Sequence, residues 1–190
     1  ILASATLLTL SVSTLLNLTG PYERTFEELN GAHLWLLLDR SVTSSRELTR
    51  IQELPGVAAS TGLVPYVSVR AELREARLWV NLTARSEAPR VNRLRWTAGS
   101  PPAEHWHECG IEKDLAQIQN VQPGDMITVS VPDGREIELT AVGIVYDPMW
   151  DTYRPGQFPR MYVGEATLKK VAPDPSTWGW SLGLRLADPE

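Results

Sequence analysis

Three side chains that could bind a metal ion alternate within the segment AEHWHECG. His105, His107 and Cys109 would share one face of an extended strand, where imidazole and thiolate groups can coordinate zinc. A structural zinc site usually has four protein ligands, and the remaining histidine, His33, lies far away in the sequence. The segment leaves two interpretations open: a zinc site with a zinc-dependent enzyme around it, or a loop and short strand with a half-buried cysteine.

Other catalytic arrangements have less support in the sequence. It contains no GxSxG motif, which holds a nucleophilic serine on a sharp turn, and no GxxxxGK[ST] loop for nucleotide phosphates. The acidic pair Asp147 and Asp151 flanks Pro148-Met149-Trp150 and could supply the two carboxylates of a sugar hydrolase. Adjacent carboxylates in a loop are more often only solvated. We therefore expect no catalytic residue and no cofactor.

Five aromatic residues lie in or beside loops and are candidates for contact with a partner. They are Trp150, Tyr153, Phe158, Trp178 and Trp180. An exposed Trp or Tyr combines a large apolar ring with a polar atom, which suits a protein interface or a membrane surface. The alternative is that these rings fold back onto their own lobe. Trp35 and Trp79 stand in strand-like runs instead, and both are expected in the core.

The opening segment ILASATLLTLSVSTLLNLTGPY carries no charge and is mostly apolar. Its length approaches the roughly 20 residues that a helix needs to cross a bilayer. A signal peptide requires a basic region, and no basic residue precedes Arg24. The segment is therefore predicted to be the end of a membrane helix within a longer polypeptide. The alternatives are a signal peptide and an amphipathic helix that covers a soluble core.

One face of this helix is predicted to continue beyond the membrane. Its residues recur at alternating spacings of four and three, at Leu8, Val12, Leu15, Thr19, Tyr22, Phe26 and Leu29. This spacing places them on one side of a helix, where they form a candidate stripe for packing on other helices. Gly20 and Pro21 interrupt the helix, and we expect a kink there because proline disrupts a helix interior.

Charge and cysteine content limit the classes of partner. The formal net charge is −5, and acidic and basic residues are mixed along the chain without a run of Lys or Arg. Binding to nucleic acid needs a concentrated basic surface, so we expect no nucleic acid partner. The single cysteine cannot form a disulfide within the chain.

The first part of the chain after the opening helix predicts an α+β layer, with helices on one face of a sheet. The run at 33–39 is typical of a strand buried on both faces. Ser44 and Glu47 form a capping box at the start of a short helix. Further strands are predicted at 57–69, where Gly62 and Pro65 break the strand, and at 76–85.

From Trp96 onward the pattern is richer in strands. Ile111, Leu115 and Ile118 indicate a short helix. Ile127, Val129 and Val131 alternate with polar residues, and a turn at 132–134 leads into a returning strand, which predicts a β-hairpin. The strand MYV, the short helix GEATLKKV and the strand WSLGLRLAD follow.

Several phrases, in their order along the chain, resemble the periplasmic core domain of MacB/FtsX-type ABC-transporter permeases. They are ELPGVAAS, ECGIEKDLAQIQNVQPGDMITVSVPDGREIELTAVGIVYDP, RMYVGEATLKKV and LGLRLADPE. The resemblance implies an α+β fold of two lobes that follow a helix at 1–31. A mixed-sheet lobe with short helices, next to the membrane, would comprise 32–95 and 160–190. A smaller β-rich lobe would be inserted at 96–159.

The resemblance also implies a function without catalysis. The domain would lie on the extracytoplasmic side of the cell membrane, in a permease that pairs with a second permease subunit and with a cytoplasmic ABC ATPase. Movement of the first membrane helix would reach the outer domain and act on an extracytoplasmic client, which the residues do not identify. The alternative from another class is a secreted or membrane-tethered module that binds carbohydrate or protein through its loop aromatics.

Overall fold

The computed structural model describes residues 22–39, 43–85, 89–103, 107–131, 134–149 and 158–188. These residues form short helices and a mixed sheet, which confirms the α+β class. The helices are α1, described over 22–28, α2 at Ser45–Gln52, α3 at Lys113–Gln119 and α4 at Glu165–Val171, with a 3-10 turn at Pro175–Thr177. The strands are β1 Leu34–Leu38, β2 Val57–Leu73, β3 Ala76–Ala84, β4 Arg95–Gly99, β5 Glu108–Glu112, β6 Met126–Ser130, β7 Glu136–Tyr146, β8 Arg160–Val163 and β9 Gly179–Leu186.

Most of the described strands close into a ring. Strands β2, β3, β8, β5, β7 and β6 hydrogen-bond in this order, and β6 pairs again with β2. The pairs β3–β8 and β5–β7 are parallel, and the other pairs in the ring are antiparallel. Closure gives every strand of the ring a hydrogen-bonded neighbour on both sides, so the ring has no open edge.

Strand β2 is long enough to serve two parts of the sheet. Its first half, from Val57 to Tyr66, pairs with β9, and its second half, from Tyr66 to Leu73, pairs with β3. The prediction of a strand broken at Gly62 and Pro65 was wrong, because β2 continues through a bulge at Gly62 and Pro65 is paired with Trp180 of β9. Gly62 has a φ of 72°, which glycine adopts without strain.

The main core lies within the ring and beneath α3 and α4. Alternate residues of each strand face inward, because successive side chains of a strand point to opposite faces. Among the side chains with no exposed surface are Leu73, Leu82, Ile111, Ile127, Leu139 and Met161. A smaller cluster around Leu48, Leu182 and Leu184 packs α2 on β1, β2 and β9.

Several elements follow local sequence signals. The Ser44 hydroxyl accepts a hydrogen bond from Glu47 N, and the Glu47 carboxylate accepts one from Ser44 N, which confirms the capping box. Strands β6 and β7 form the predicted antiparallel hairpin. The helix predicted from Ile111 onward is shorter than expected, because Ile111 belongs to β5. Ile118 is exposed, since α3 buries the face that carries Leu115.

Strand β1 differs from its prediction. We expected both faces to be buried, but Leu34 is exposed and Leu37 is 74% exposed. Among the described strands, β1 pairs with β9 alone and lies at one end of the sheet. A strand at this position has neighbours on one side only, so part of its apolar surface faces solvent.

Hydrogen bonds connect the two predicted lobes. Strand β6, from the predicted inserted lobe, pairs with β2, and β5 pairs with β8. The division of the chain at 95/96 and 159/160 stays a prediction. Of the helices within the described ranges, none combines the length and the apolar character needed to span a bilayer. The predicted membrane segment before Tyr22 lies outside these ranges.

Candidate functional site

The C-terminal end of α1 is closed by a backbone motif. Gly31 N donates to Phe26 O over 2.8 Å and Asn30 N donates to Glu27 O over 3.0 Å, which are the two hydrogen bonds of a Schellman motif. Asn30 has a φ of 55°, in the left-handed region that asparagine tolerates better than most residues. A Cβ atom at Gly31 would lie 2.3 Å from the Phe26 ring, so any larger residue at this position would displace the ring.

The segment that precedes β4 binds this end of α1. Arg93 N donates to Leu29 O over 2.8 Å, and Asn92 N donates to Asn30 O over 2.7 Å. In return, the Asn30 side chain donates to Arg90 O over 2.5 Å. The last carbonyl groups of a helix have no partner within it, and these backbone donors supply one.

Charged side chains strengthen the same attachment. Glu28 forms an ion pair with Arg95 of β4 at 2.6 Å, and Glu27 forms one with Arg185 of β9. The Arg93 guanidinium donates to Glu28 O. Cations are favourable near the C-terminal end of a helix because of the helix dipole. We call Glu27, Glu28, Arg93, Arg95 and Arg185 the helix junction; it joins α1 to β4 and to β9.

The end of β9 lies directly beside the base of α1. Arg185 donates to Gly31 O over 2.9 Å, and His33 N donates to Leu184 O over 2.9 Å. Leu186 N donates to His33 Nδ1 over 3.0 Å. The segment that leads from α1 into the sheet is therefore hydrogen-bonded to the last three residues of β9.

A buried carboxylate lies behind the helix junction. Asp147 follows β7 and is 2% exposed. Its Oδ1 accepts hydrogen bonds from Asn92 Nδ2 over 2.6 Å and from Met149 N over 2.8 Å, and its Oδ2 accepts one from the Tyr162 hydroxyl over 2.5 Å. Because Asn92 also bonds to Asn30, a single residue separates this carboxylate from the end of α1.

Two arginines face the same carboxylate. Arg85 and Arg160 have side chains that are 4% and 8% exposed, and their Nη1 atoms lie 3.5 and 3.7 Å from Asp147 Oδ2. Both guanidinium groups also lie over the ring of Trp35, at 5.9 and 5.8 Å from its centre, where the ring face attracts a cation. We call Trp35, Arg85, Asp147, Arg160 and Tyr162 the buried charge cluster.

These charges determine the protonation of the buried groups. Burial by itself would raise the pKa of Asp147, but Arg85, Arg160 and the Tyr162 hydroxyl together hold it below its usual value. Burial, followed by the negative charge of Asp147, raises the pKa of Tyr162 well above its usual value. Burial also raises the pKa of Glu112, whose Oε2 accepts a hydrogen bond from Arg160 N. At neutral pH Asp147 is therefore an anion and Tyr162 a neutral donor.

Three residues of the predicted packing stripe are described, and all contact the folded domain. Leu29 is buried. The Phe26 ring centre lies 6.0 Å from that of Tyr22 and 5.3 Å from that of His33, and the Tyr22 hydroxyl donates to Pro148 O over 3.4 Å. Leu8, Val12, Leu15 and Thr19 lie outside the described residues. A role of the stripe in packing on other helices stays a prediction.

The predicted partner-contact aromatics occupy different environments. Phe158 is exposed and stacks on Trp79, with ring centres 6.2 Å apart and planes 24° apart. Trp178 is buried and donates from Nε1 to Ala172 O over 2.8 Å, and Trp180 is half-buried with its ring centre 5.8 Å from that of Trp178. Trp150 and Tyr153 lie outside the described residues. Contact of any of these rings with a partner stays a prediction.

The expectation that Trp79 belongs to the core was wrong. Val80 and Leu82 of β3 face the core, so Trp79 points to the outer face of the ring and is 45% exposed. The Arg70 guanidinium lies 5.7 Å from the centre of its ring. Trp35 is half-buried, with its ring against the two arginines of the buried charge cluster.

The candidate metal ligands that the structure describes differ in environment. Cys109 has no exposed surface, and burial raises the pKa of its thiol, which disfavours the thiolate form that binds zinc. His107 is exposed, with Nδ1 at 3.2 Å from Glu138 O. His105 lies outside the described residues. In the described part of the chain, no three His, Cys, Asp or Glu side chains are grouped closely enough to hold a metal ion.

Sequence reasoning did not identify the helix junction or the buried charge cluster. It considered Asp147 only as half of an acidic pair with Asp151, which lies outside the described residues, and expected it to be solvated. The structure shows Asp147 buried in ion pairs instead. No local signal marks Asn92 or Arg185, because their partners Asp147 and Glu27 are 55 and 158 positions away.

Comparison with known proteins gives distant likenesses. No family model matches the sequence, and no curated protein matches it. The extracellular domain of the noncanonic ABC-type transporter YknZ from Gram-positive bacteria is similar with a TM-score of 0.45 and 14% identity, over 77% of this chain and 74% of that one. The periplasmic region of MacB from Actinobacillus actinomycetemcomitans is similar with a TM-score of 0.43 and 11% identity, over 74% of this chain and 63% of that one. A domain ascribed to a permease protein from Porphyromonas gingivalis is similar with a TM-score of 0.41 and 14% identity, over 74% of this chain and 67% of that one.

Proposed function

We propose that this chain is the extracytoplasmic domain of an ABC-transporter permease of the MacB/FtsX type and that it transmits movement without catalysing a reaction. The observation that carries this proposal is the helix junction, which joins α1 to β4 and β9 of one sheet. A displacement of α1 would therefore move two strands together. The phrases that resemble the MacB/FtsX domain, from ELPGVAAS to LGLRLADPE, support the same assignment.

The base of α1 and the end of β9 lie side by side, which supports a domain inserted between two membrane helices. The base of α1 and the end of β9 are hydrogen-bonded to each other through Gly31, His33 and Arg185. A domain inserted between two membrane helices needs both connections on the side that faces the membrane. The uncharged, mostly apolar segment ahead of α1 would be the first of these helices.

The buried charge cluster would make the attachment of α1 stiff. Asn92 bonds to the backbone at Asn30 and to the Asp147 carboxylate, so a displacement of α1 relative to the sheet would disturb buried ion pairs. Breaking a buried pair by removing one partner costs about 3–5 kcal/mol. The helix and the ring of strands would consequently move as one body, as mechanical coupling requires.

The proposal assigns a class to each partner. The energy would come from a cytoplasmic ABC ATPase, and the permease would act together with a second permease subunit in the membrane. The outer domain would open or close on an extracytoplasmic client. Coupling of this kind needs two arrangements that differ in affinity for the client or for ATP.

Labelling of cysteines tests the location of the domain. Arg77 and Glu136 are exposed, so Arg77→Cys and Glu136→Cys variants of the full-length natural protein should react with a membrane-impermeant maleimide added to intact spheroplasts. Cys109 is buried and serves as the internal control, because it should stay unlabelled in the folded protein. Reaction of the variants only after the membrane is broken would exclude an extracytoplasmic location.

Distance measurement tests the coupling. In the assembled transporter with its ATPase, spin labels at position 77 of two subunits should change their separation when ATP binds. The Arg185→Ala variant should show a smaller change, because the bonds from Arg185 to Glu27 and to Gly31 O would be lost. A wild-type separation that is the same with and without ATP would contradict mechanical transmission.

A ligand-binding module is the second candidate, and the stacked rings of Trp79 and Phe158 favour it. The pair is exposed, and the polar side chains of Arg70, Ser68 and Asn81 lie on the same face of β2 and β3. Such a surface could stack on the apolar face of a sugar ring. Titration with chitin and cellulose oligosaccharides should then shift the Trp79 indole NMR signal. No shift at any concentration tested would exclude carbohydrate binding at these rings.

A further inference from the structure

His33 links α1 to the end of β9 through its ring. Nδ1 accepts a hydrogen bond from Leu186 N over 3.0 Å, and the ring centre lies 5.3 Å from that of Phe26 in α1. The backbone of His33 adds a second bond to β9, from its N to Leu184 O. One residue thus bonds to β9 twice, and only the bond through the ring depends on protonation.

The hydrogen bond from Leu186 N exists in one protonation state of the ring. An acceptor nitrogen carries no proton, so the neutral imidazole of His33 must hold its proton on Nε2. Protonation of Nδ1 converts this nitrogen into a donor, which would then oppose the N–H of Leu186. The same event places a positive charge beside Arg185.

Charged groups on both neighbouring elements face this ring. Arg185 lies on β9 and Glu27 on α1, and Glu23, also on α1, lines the same cleft of about 450 Å³. From the end of β7 the cleft is lined by Pro148 and Met149, which do not titrate. The cleft is open at the surface, so solvent protons reach the ring.

The neighbours favour the neutral ring at physiological pH. Burial and the positive charge of Arg185 lower the pKa of His33 below 6.5, and Glu27 opposes this shift. The folded state therefore binds the proton less tightly than the unfolded chain does. The stabilisation from the Leu186 bond is complete above about pH 6.5 and is lost as the pH falls through the lowered pKa.

We propose that His33 is an acid-sensitive clasp: at neutral pH its ring helps to hold the end of β9 to the base of α1, and protonation of the ring breaks this one bond while the other bonds between them remain. The clasp stands on the geometry at the base of α1 and does not depend on the transporter assignment. Within a transporter, it would loosen one of the two links through which α1 moves the sheet, while the ion pair between Glu28 and Arg95 holds the other.

Two variants of the full 190-residue chain test the clasp. In His33→Asn the side-chain oxygen takes the place of Nδ1 and accepts the same bond at every pH, whereas His33→Ala has no acceptor. The measurement is amide hydrogen exchange of Leu186 by NMR between pH 7.5 and 4.5, corrected for the intrinsic dependence on pH. Protection in the wild type should fall by roughly five- to tenfold on acidification, as expected for loss of one hydrogen bond.

The variants decide between the outcomes. The clasp predicts that His33→Asn keeps its protection at both pH values and that His33→Ala lacks it at both. Protection at Leu186 that stays constant in the wild type while the His33 ring titrates would overturn the proposal. An equal loss in wild type and His33→Asn would also overturn it, because another group would then be responsible.

Discussion

Asn92 donates a hydrogen bond from Nδ2 to Oδ1 of Asp147 over 2.6 Å, and both side chains are buried. The backbone N of Asn92 donates to Asn30 O, so Asn92 connects the end of α1 to the buried charge cluster. Its φ of 57° lies in the left-handed region, which asparagine tolerates. Asparagine meets both requirements at this position, the backbone conformation and a side-chain donor.

Replacement of Asp147 by Asn should lower the free energy of unfolding by about 3–5 kcal/mol, because Arg85 and Arg160 would lose their buried counter-charge. Urea unfolding followed by circular dichroism measures the change. Glu72→Gln is the matched control: Glu72 pairs with Arg77 on the surface, and its loss should cost about 0–1 kcal/mol. Equal losses in the two variants would show that the cluster contributes no more than a surface pair.

Glu112→Gln should increase stability at neutral pH. Burial raises the pKa of Glu112 above 4.5, so the folded state binds this proton more tightly than the unfolded chain does. Wild-type stability should therefore fall as the pH rises from about 4.5 through the raised pKa. Glutamine keeps an acceptor for Arg160 N without a buried charge, so the variant should escape this loss.

Urea unfolding of wild type and Glu112→Gln at pH 4 and pH 7 measures this effect. The advantage of the variant should be larger at pH 7 than at pH 4. If Glu112→Gln raises the free energy of unfolding equally at both pH values, the ionisation of Glu112 does not contribute. If the variant is less stable than the wild type at pH 7, the charge of Glu112 stabilises Arg160.

Arg185→Lys should weaken the attachment of α1 to β9. The arginine donates to Gly31 O and to the Glu27 carboxylate from two nitrogens of one planar group, and a lysine ammonium cannot reproduce this geometry. We expect the free energy of unfolding, measured with urea, to fall by about 1 kcal/mol. Lys169→Ala breaks an exposed pair on α4 and should cost no more than about 0.5 kcal/mol. An unchanged free energy of unfolding in Arg185→Lys would contradict the assigned role.

Trp79→Ala and Trp178→Ala should differ strongly in stability. Trp178 is buried and belongs to the main core, so its truncation should cost about 3–5 kcal/mol. Trp79 faces outward with 45% of its surface exposed, and its truncation should cost less than about 1 kcal/mol. Thermal unfolding of both variants measures the contrast, and a larger loss in Trp79→Ala would place Trp79 in the core after all.

Local sequence signals predicted the elements that depend on near neighbours. The capping box of Ser44 and Glu47, the hairpin of β6 and β7, and the helix α4 all formed as expected. In each, the residues that carry the signal lie close to one another along the chain, so their spacing reports directly on hydrogen bonds or on the face that will be buried.

Predictions that depended on distant neighbours were less successful. The run of β1 is as apolar as that of a strand buried on both faces, yet β1 lies at the end of the sheet with Leu37 exposed. Trp79 stands in a strand that alternates correctly, but the sequence does not state which face of that strand would be covered. Burial of a strand face is decided by what packs on it, and that depends on the whole fold.

The sequence by itself determined the α+β class, the capping box at Ser44 and the pairing of β6 with β7, because each rests on periodicity or on hydrogen bonds between residues a short distance apart in the chain. Only the tertiary structure decided that six strands close into a ring and that α1 is joined to β4 and β9. It also brought Asp147 to Asn92 across 55 positions and Arg185 to Glu27 across 158. Side chains so far apart in the sequence come into contact only after the strands between them have paired. No local sequence pattern predicts that pairing.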